Sequence, residues 1–268
     1  MLSVIVLTKN EEDRIKACLE SVKWADEIVV LDNGSTDQTL NIVKRYTNKI
    51  FSYINEDYAA FRNMAFKKIS RDWVLYIDAD ERVSSELRIE LEDLISKADC
   101  SAYAISRKNI IFGREVKYGP FWPDWVIRLF KKNDFEGWVG KIHEYPKFKG
   151  KLGYTKNSLI HLTHRDLEQI VLKSLEWSKI DAKLRFDAHH PPMSGLRFIR
   201  ILLSELFNQL IVRKGFSGGT VGIMDSILQT FSTFLSFVRL WQMQQTKPLN
   251  DSYNDLDQRL MENNFKYP

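Results

Sequence analysis

The chain has 268 residues, of which 44% are hydrophobic and 28% are charged, so it can bury the core of a large globular domain. Two cysteines, Cys18 and Cys100, are too few for a disulfide framework and indicate a reducing compartment. The whole net charge of +4 comes from residues 194–248, with six basic and two acidic side chains, and the neutral remainder argues against a nucleic-acid-binding protein.

Short apolar runs alternate with amphipathic stretches through the first hundred residues. The run at 2–8 lacks the basic start of a signal peptide and is expected to be a strand. Further strands are expected at 27–31, 50–54 and 73–77, and helices at 11–22, 37–46, 58–69 and 84–95. Asn10 is expected to cap the first helix. This alternation predicts an α/β fold with a mostly parallel, Rossmann-like nucleotide-binding sheet and flanking helices.

Polar residues collect where three of these strands end. They are Thr8, Asn10 and Glu11 after the first strand, Asp32 after the second, and Asp78 and Asp80 after the fourth. Because ligands of open α/β sheets bind beyond the carboxyl ends of the strands, this pattern predicts a nucleotide-sized crevice. The sequence has neither G-x-G-x-x-G nor G-K-[ST], so a diphosphate has to be bound by a metal and by cations. Arg62 is a candidate cation, and a solvated helix position explains its spacing equally well.

Three carboxylates stand within four residues at the end of the fourth strand. Asp78 and Asp80 are two residues apart, so in an extended chain they point the same way. Such a pair suits Mg²⁺ or Mn²⁺, which prefer hard oxygen ligands. Taken alone, the pair is more simply a polar turn before the helix at 84, and the two other polar strand ends favour the metal.

The pattern changes after residue 95. Strands are expected at 102–106, 125–130 and 158–162, and the last of them contains His161. A basic and aromatic loop is expected between Arg107 and Asp124, long enough to be functional, with rings suited to sugar faces or a lipid interface. Glu144 follows a short apolar stretch near the end of this region.

Three helices are expected in the last third of the chain, at 165–186, 196–212 and 221–243. The domain boundary is therefore expected between a catalytic domain at 1–164 and a helical region at 165–268. In the last two helices apolar residues recur at steps of three and four, beside the basic side chains. The sequence contains no run of about 18 uncharged apolar residues, so no clear membrane-spanning helix is expected. The helices are expected to lie in the interface of an anionic membrane, or to form a core or homo-oligomer contact.

Several motifs together resemble a known family. The segments SVIVLTKNEE, EIVVLDNGSTDQT, FRNMAF and YIDADER resemble the N-terminal half of family-2 inverting glycosyltransferases with the GT-A fold. The later segments FWPDWVIRLFKK, GKIHE, LIHLTHRDL and KGFSGGTVG resemble the bacterial lipopolysaccharide-core β-1,4-glucosyltransferase-like group. The Gly-Phe-x-x-Gly element of that group usually has Asp as its fourth residue, where this chain has Ser217 or Gly218, so a role of that acid does not carry over.

The resemblance implies a role for each candidate residue. It assigns Thr8, Asn10, Glu11 and Asp32 to the base and ribose, Arg62 to the phosphates, Asp78 to the ribose or metal, Asp80 to the metal, and Glu144 to the general base, with Asp124 and Glu136 as its rivals. His161 is a further candidate metal ligand, although lone histidines such as His161 and His143 are more often structural. The reaction implied is a single displacement, in which one base deprotonates the acceptor and Mg²⁺ or Mn²⁺ neutralises the leaving diphosphate.

The resemblance also implies partners and a location. UDP-glucose is the donor suggested by analogy, and the acceptor is a glycan or lipid-linked molecule such as lipopolysaccharide core. A lipid-linked acceptor would favour an enzyme held at a membrane, and the basic, apolar region at 194–248 is expected to attach it peripherally to the inner, cytoplasmic face of the bacterial cytoplasmic membrane. Three alternatives are a D-x-D phosphatase, a nucleotidyltransferase and a non-catalytic membrane-attached scaffold. The phosphatase is disfavoured by Arg82 and by the position of the D-x-D motif in the chain.

Overall fold

The structure, a computed structural model, describes residues 1–54, 57–119, 122–140, 144–262 and 265. The chain divides into two compact units. The first contains Met1–Lys117 and Phe121–Thr163, and the second contains His164–Pro268 with the short segment Tyr118–Pro120.

Strands and four helices form the first unit. The strands are β1 Leu2–Thr8, β2 Glu27–Asp32, β3 Ile50–Ser52, β4 Trp73–Asp78, β5 Glu81–Arg82, β6 Ala102–Ile111, β7 Arg114–Val116, β8 Asp124–Lys131, β9 Phe135–Val139, β10 Tyr145–Phe148 and β11 Leu152–Leu162. The helices are α1 Ile15–Val22, α2 Thr39–Val43, α3 Tyr58–Phe66 and α4 Ser85–Lys97. A short 3-10 helix, Lys132–Asp134, joins β8 to β9.

One mixed sheet organises this unit. Its strand order is β3-β2-β1-β4-β8-β6-β11-β5, with β7 paired to β6, while β9 and β10 form a separate two-stranded sheet. The pairings of β1 with β2 and β4, of β2 with β3 and of β6 with β11 are parallel, and only β8, β5 and β7 run in the opposite direction. The predicted fold class, a mostly parallel sheet with flanking helices and further C-terminal helices, is confirmed.

The two faces of the sheet carry separate apolar layers, because successive strand residues point to opposite sides. In β1, Val4 and Val6 pack with α1, α2 and α4, whereas Ile5 and Leu7 pack with α3 and β9. All of these side chains are buried. A strand buried on both faces reads as the continuous apolar run seen at 2–8.

Two local expectations are wrong. Asn10 does not cap α1; it has a left-handed φ of 52°, and its side-chain oxygen instead accepts a hydrogen bond from Thr36 N at 2.7 Å. The expected loop from Arg107 to Asp124 is strand in part, because β6 continues to Ile111 and forms a hairpin with β7. Arg107 and Asn109 are tolerated in β6 since both donate to the Asp124 carboxylate.

Helices form the second unit. They are α5 Leu167–Asp187, α6 Gly195–Phe207, α7 Gly219–Met243 and α8 Leu249–Glu262. A π-helical turn, Asn208–Val212, extends α6, and a 3-10 turn, Gly215–Gly218, leads into α7. α7 packs against α5 and α6. Small or polar side chains are buried in α5 and α7: Ser174, Ser178 and Ala182 in α5, and Ser226, Thr230 and Ser236 among those in α7.

Candidate active site

The loops after β1 and β2 are joined to each other at the rim of the sheet. Thr8 stands opposite Asp32 in the parallel register, so the two strands end together. Beyond them, Asn10 N donates to Ser35 Oγ at 2.9 Å, and Glu11 N donates to Thr39 Oγ1 at 2.7 Å. The predicted convergence of these polar residues therefore occurs.

Asp32 and Thr8 differ in how their side chains are satisfied. The Asp32 carboxylate is almost fully buried and accepts hydrogen bonds from Gly34 N and Ser35 N, each at 3.0 Å. Gly34 has a φ of 83°, which this tight turn requires. Thr8 Oγ1 is buried and has no hydrogen-bond partner among the described residues. Asp32 thus shapes its own loop, and Thr8 offers an unused hydroxyl at the rim.

Arg62 lies at the centre of the site. Its Nη2 is 3.2 Å from Asp78 Oδ1, its Nε is 3.2 Å from Glu144 Oε1, and its guanidinium stacks 4.9 Å from the Trp138 ring centroid. Asn63, next along α3, exchanges two 2.8 Å hydrogen bonds with the Trp138 backbone and fixes β9 against the helix. Arg62 is 7% exposed, so the solvated-helix interpretation of this residue is wrong. Its Nη1 has no hydrogen-bond partner within the described part of the chain.

Asp78 is shared between two guanidinium groups. Arg128 of β8 donates to Asp78 Oδ2, opposite the contact from Arg62. Burial would raise the pKa of the Asp78 carboxyl, but the positive charges of Arg128, Arg62 and Arg107 outweigh it and hold that pKa well below its ordinary value. Asp78 is therefore an ionised partner of arginines, whereas Asp80 lies beside His161.

Glu81 completes this charge network and is fully buried. It accepts from Arg107 Nη1 at 3.3 Å, from Arg128 Nη2 at 3.2 Å and from Asp78 N at 3.0 Å. No local sequence motif indicates these roles for Glu81, Arg107 and Arg128. The available signal was Arg128 itself, a charge inside the apolar strand 125–130, which is costly without a buried partner.

Asp80 and His161 are brought together by strand pairing. β5 pairs with β11 so that His161 stands opposite Glu81, and Leu162 N donates to the Asp80 carbonyl at 2.9 Å. His161 Nε2 then lies 3.4 Å from Asp80 Oδ2. On the other side of the ring, His161 Nδ1 lies 2.6 Å from Asn109 Oδ1.

The Asp80–His161 pair is compatible with a divalent cation. The described residues contain no group of three or more His, Cys, Asp or Glu side chains arranged to bind a metal by themselves. Mg²⁺ commonly uses only one or two protein groups and completes its shell with substrate phosphates and water. A carboxylate oxygen and an imidazole nitrogen at 3.4 Å fit that kind of shared site.

The three carboxylates considered as general base have different surroundings. Asp124 is buried, bound by Arg107 Nε at 2.9 Å and by Asn109 Nδ2 at 2.9 Å. Glu136 is on the surface, 3.1 Å from Lys149 Nζ. Glu144 is partly exposed and contacts Arg62 in the site. His143 lies outside the described residues.

Comparison with known proteins identifies the family. The model of Glycosyl transferase family 2 matches residues 3–150, more than half of the chain. An uncharacterised glycosyltransferase of Rickettsia typhi is 30% identical over 90% of this chain and 87% of its own length. The lipopolysaccharide core biosynthesis glycosyltransferase LpsC of Rhizobium meliloti is 27% identical over 92% of this chain and 94% of its own length.

Among solved structures, Staphylococcus aureus TarS 1-349 in complex with UDP-GlcNAc matches with a TM-score of 0.47 and 17% identity, over 87% of this chain and 80% of that one. Glucosyl-3-phosphoglycerate synthase of Mycobacterium tuberculosis with Mg²⁺ and UDP matches with a TM-score of 0.44 and 16% identity, over 73% and 81% of the two chains. These similarities are too distant to bear on the reaction. The family model and the full-length relatives do bear on it, and the chain therefore belongs to glycosyl transferase family 2 and is a glycosyltransferase.

Proposed function

We propose that this enzyme is a metal-dependent inverting hexosyltransferase that moves a sugar from a nucleotide diphosphate donor to a glycan or lipid-linked acceptor. The observation that carries the proposal is Arg62, which joins a donor-side carboxylate, Asp78, to a second, partly exposed carboxylate, Glu144. UDP-glucose and a lipopolysaccharide-core acceptor are the specific pair we propose, in keeping with the relative named for lipopolysaccharide core biosynthesis.

The donor is proposed to lie across the ends of β1, β2 and β4. Thr8, Asn10, Glu11 and Asp32 would line the base and ribose, and the unpartnered Thr8 hydroxyl supports a polar ligand there. Asp78 would approach the ribose from its place between two arginines, and Arg62 Nη1, the donor without a partner in the described chain, would bind a phosphate oxygen.

Asp80 and His161 are proposed to bind Mg²⁺ or Mn²⁺ together with the diphosphate. When bound, the cation neutralises the charge that develops on the leaving nucleoside diphosphate. Asp78 belongs to the arginine network and is proposed as an outer neighbour of this site, because both of its oxygens already accept from guanidinium groups.

Glu144 is proposed as the general base. It takes the proton of the acceptor hydroxyl while that oxygen bonds to the anomeric carbon, and the bond from the anomeric carbon to the diphosphate oxygen breaks on the opposite side. A single displacement inverts the anomeric centre and requires no second catalytic carboxylate, unlike glycoside hydrolysis. Asp124 is less suited to the role since Arg107 and Asn109 occupy its oxygens.

Membership of glycosyl transferase family 2 argues against the phosphatase and nucleotidyltransferase alternatives, and turnover distinguishes the transferase from a non-catalytic scaffold. The proposal is tested by incubating the enzyme with Mn²⁺, an acceptor glycan and a panel of nucleotide sugars. We expect acceptor-dependent release of the nucleoside diphosphate, fastest with UDP-glucose, and a β-linked product by NMR. Release of monophosphate or pyrophosphate, or an unchanged anomeric configuration, would contradict the proposed reaction.

We also propose that the helical unit attaches the enzyme to the inner face of the cytoplasmic membrane. Part of α7 has polar residues inside and apolar residues outside. It buries Asp225, Ser226 and Thr230, while Ile227 and Phe231 are exposed. Buried small and polar side chains with apolar side chains outside are typical of helices in an apolar solvent.

The neighbouring helix α6 supports the same proposal. Every residue of α6 is at least partly exposed, and Leu196 and Leu203 are 83% and 61% exposed. Arg197 and Arg200 lie among these residues and would meet anionic headgroups. By length and composition, the helical stretch Gly215–Met243 could cross a membrane, as could the core helix of a soluble protein. The charged residues Asp225 and Arg239 within this stretch would make a crossing costly, so a surface position is proposed.

A further inference from the structure

A chain of three polar side chains leads from the charge network to the Asp80–His161 pair. Arg107 donates to both oxygens of Asp124, at 2.9 and 3.2 Å, and Asn109 Nδ2 donates to Asp124 Oδ2 at 2.9 Å. Asn109 Oδ1 then lies 2.6 Å from His161 Nδ1. Each residue is held in place by strand pairing, since Asn109 is opposite His161 in β6 and β11, and Arg107 is opposite Asp124 in β6 and β8.

The chemistry of these groups fixes the direction of every hydrogen bond. Asp124 faces an arginine, so its oxygens act as acceptors and the Asn109 group that faces them has to be the amide NH₂. The Asn109 carbonyl oxygen is therefore turned toward His161 and can only accept. It follows that the proton on the neutral ring is on Nδ1 and that Nε2 carries a lone pair.

That lone pair faces a second acceptor. Asp80 Oδ2 is 3.4 Å from Nε2, longer than an ordinary N–H···O hydrogen bond. Two groups that both supply electron pairs face each other at this distance, and a shared cation satisfies both of them. Metal-binding histidines in proteins commonly donate their other ring N–H to such a neighbour, which fixes both the tautomer and the ring orientation.

We infer that Asp124 and Asn109 are positioning residues that hold His161 in its Nδ1–H tautomer, with Nε2 ready to bind the cation beside Asp80. The functional consequence rests on the proposed metal-dependent transfer, whereas the tautomer does not. Asp124 would thus orient His161 through Asn109, which differs from the general-base role considered for it above.

The structure makes a specific prediction for Asp124→Leu. Asp124 Oδ2 accepts from both Arg107 Nε and Asn109 Nδ2, so it is the group that orients the Asn109 amide. Without this acceptor, the Asn109 amide can turn either its oxygen or its NH₂ toward His161 Nδ1. Asp124→Leu and Asn109→Leu should therefore each weaken the preference for the Nδ1–H tautomer.

The test uses the full chain labelled with ¹⁵N in its histidine rings, at alkaline pH where imidazoles are neutral. The resonances of His161 are assigned by their loss in His161→Gln. We expect a protonated Nδ1 and an unprotonated Nε2 in the wild type, a mixture of both tautomers in Asp124→Leu and in Asn109→Leu, and no change in Asn41→Leu, an exposed control on α2. Mn²⁺ affinity measured with UDP present should fall roughly 10–100-fold in both Asp124→Leu and Asn109→Leu.

The wild-type spectrum alone can overturn the inference, even if a variant fails to fold. A protonated Nε2 in the wild type, or an unchanged tautomer preference in folded Asp124→Leu, would refute the positioning role. If the tautomers behave as expected but the wild type binds no Mn²⁺ with UDP, the positioning role stands and the proposed metal dependence fails.

Discussion

Arg62 Nε lies 3.2 Å from Glu144 Oε1, although 82 residues separate the two in the chain. The same guanidinium contacts Asp78 on its other side, so one buried arginine joins the donor side of the site to the proposed base. Mutation can therefore distinguish donor binding from base catalysis. Arg62 contacts both the donor-side Asp78 and the proposed base, whereas Glu144 is proposed to act on the acceptor alone.

Replacing Glu144 tests the base. We expect Glu144→Gln to lower turnover roughly 10²–10⁴-fold, the usual contribution of a positioned base, while donor affinity stays close to the wild-type value. Turnover is measured with saturating donor, and affinity by calorimetry with UDP and Mn²⁺. Glu136→Gln, on the exposed Lys149 contact, is the matched control and should retain activity. Loss of donor binding in Glu144→Gln would instead place Glu144 in the donor site.

Replacing Asp80 tests the metal pair. Asp80→Asn should abolish transfer and weaken donor binding in the presence of Mn²⁺, because a neutral amide is a poor ligand for a hard cation. The fold should survive, since Leu162 pairs with the Asp80 backbone carbonyl. The exposed Asp72→Asn serves as control. A folded Asp80→Asn protein with near wild-type activity would remove Asp80 from the site.

Metal binding should depend on the nucleotide. The proposed site takes only Asp80 and His161 from the described residues, so phosphate oxygens would be needed to complete the coordination shell. In calorimetric titrations we expect weak binding of Mn²⁺ to the free protein and much tighter binding once UDP is present. Equally tight binding without UDP would mean that the protein supplies further ligands.

The buried charge network should be important for stability. Glu81 is fully buried against Arg107 and Arg128, so Glu81→Gln removes one of the two carboxylates that each arginine contacts and should cost about 1.5–3 kcal/mol of unfolding free energy. Urea denaturation measures this cost. The comparison is Glu92→Gln, whose exposed partner is Arg88 and which should cost about 1 kcal/mol or less. Equal effects of the two substitutions would refute the structural role of Glu81.

Glu27, at the start of β2 and away from the site, should make the free energy of unfolding depend on pH. Burial opposes ionisation, but hydrogen bonds from Lys49, Ser3 and Ser70 lower the pKa of Glu27 from 4.5 to about 2. A lowered folded-state pKa stabilises the protein above the unfolded-state pKa, and this stabilisation is lost as the pH falls through the folded-state value. The wild type should exceed Glu27→Gln by roughly 2–3 kcal/mol at pH 7, and the difference should vanish between about pH 4.5 and pH 2. A difference that is independent of pH would contradict this account.

Membrane attachment predicts flotation of the full chain with anionic vesicles at low salt. Replacing Leu196 and Leu203 with Gln, or Arg197 and Arg200 with Gln, should weaken flotation, because one pair supplies apolar area and the other charge. Ile89→Gln, at an equally exposed apolar position on α4, is the control. If the full chain fails to float, or if the variants lose a stable dimer in sedimentation, the face is an oligomer contact instead.

The sequence alone determined the strands β1 to β4 and the rim where they end. Each strand is a local apolar run bounded by turn residues, and the parallel pairing of such runs brings Thr8, Asp32 and Asp78 to one edge. The ends of the helices were less certain from the sequence. Asn10 is a residue type that often caps helices, yet its side chain accepts a hydrogen bond from the loop after β2, a contact that no local sequence pattern indicates.

Only the tertiary structure decided which charged residues meet. Arg62, Arg107 and Arg128 belong to three different elements, and Asp78, Glu81 and Asp124 could be paired with them only after the sheet was assembled. The spacing within one strand sets the face on which a side chain lies, but its partner depends on register with distant strands. A buried charge requires such a partner, so the network that orders this site arises from strand pairing between residues far apart in the chain.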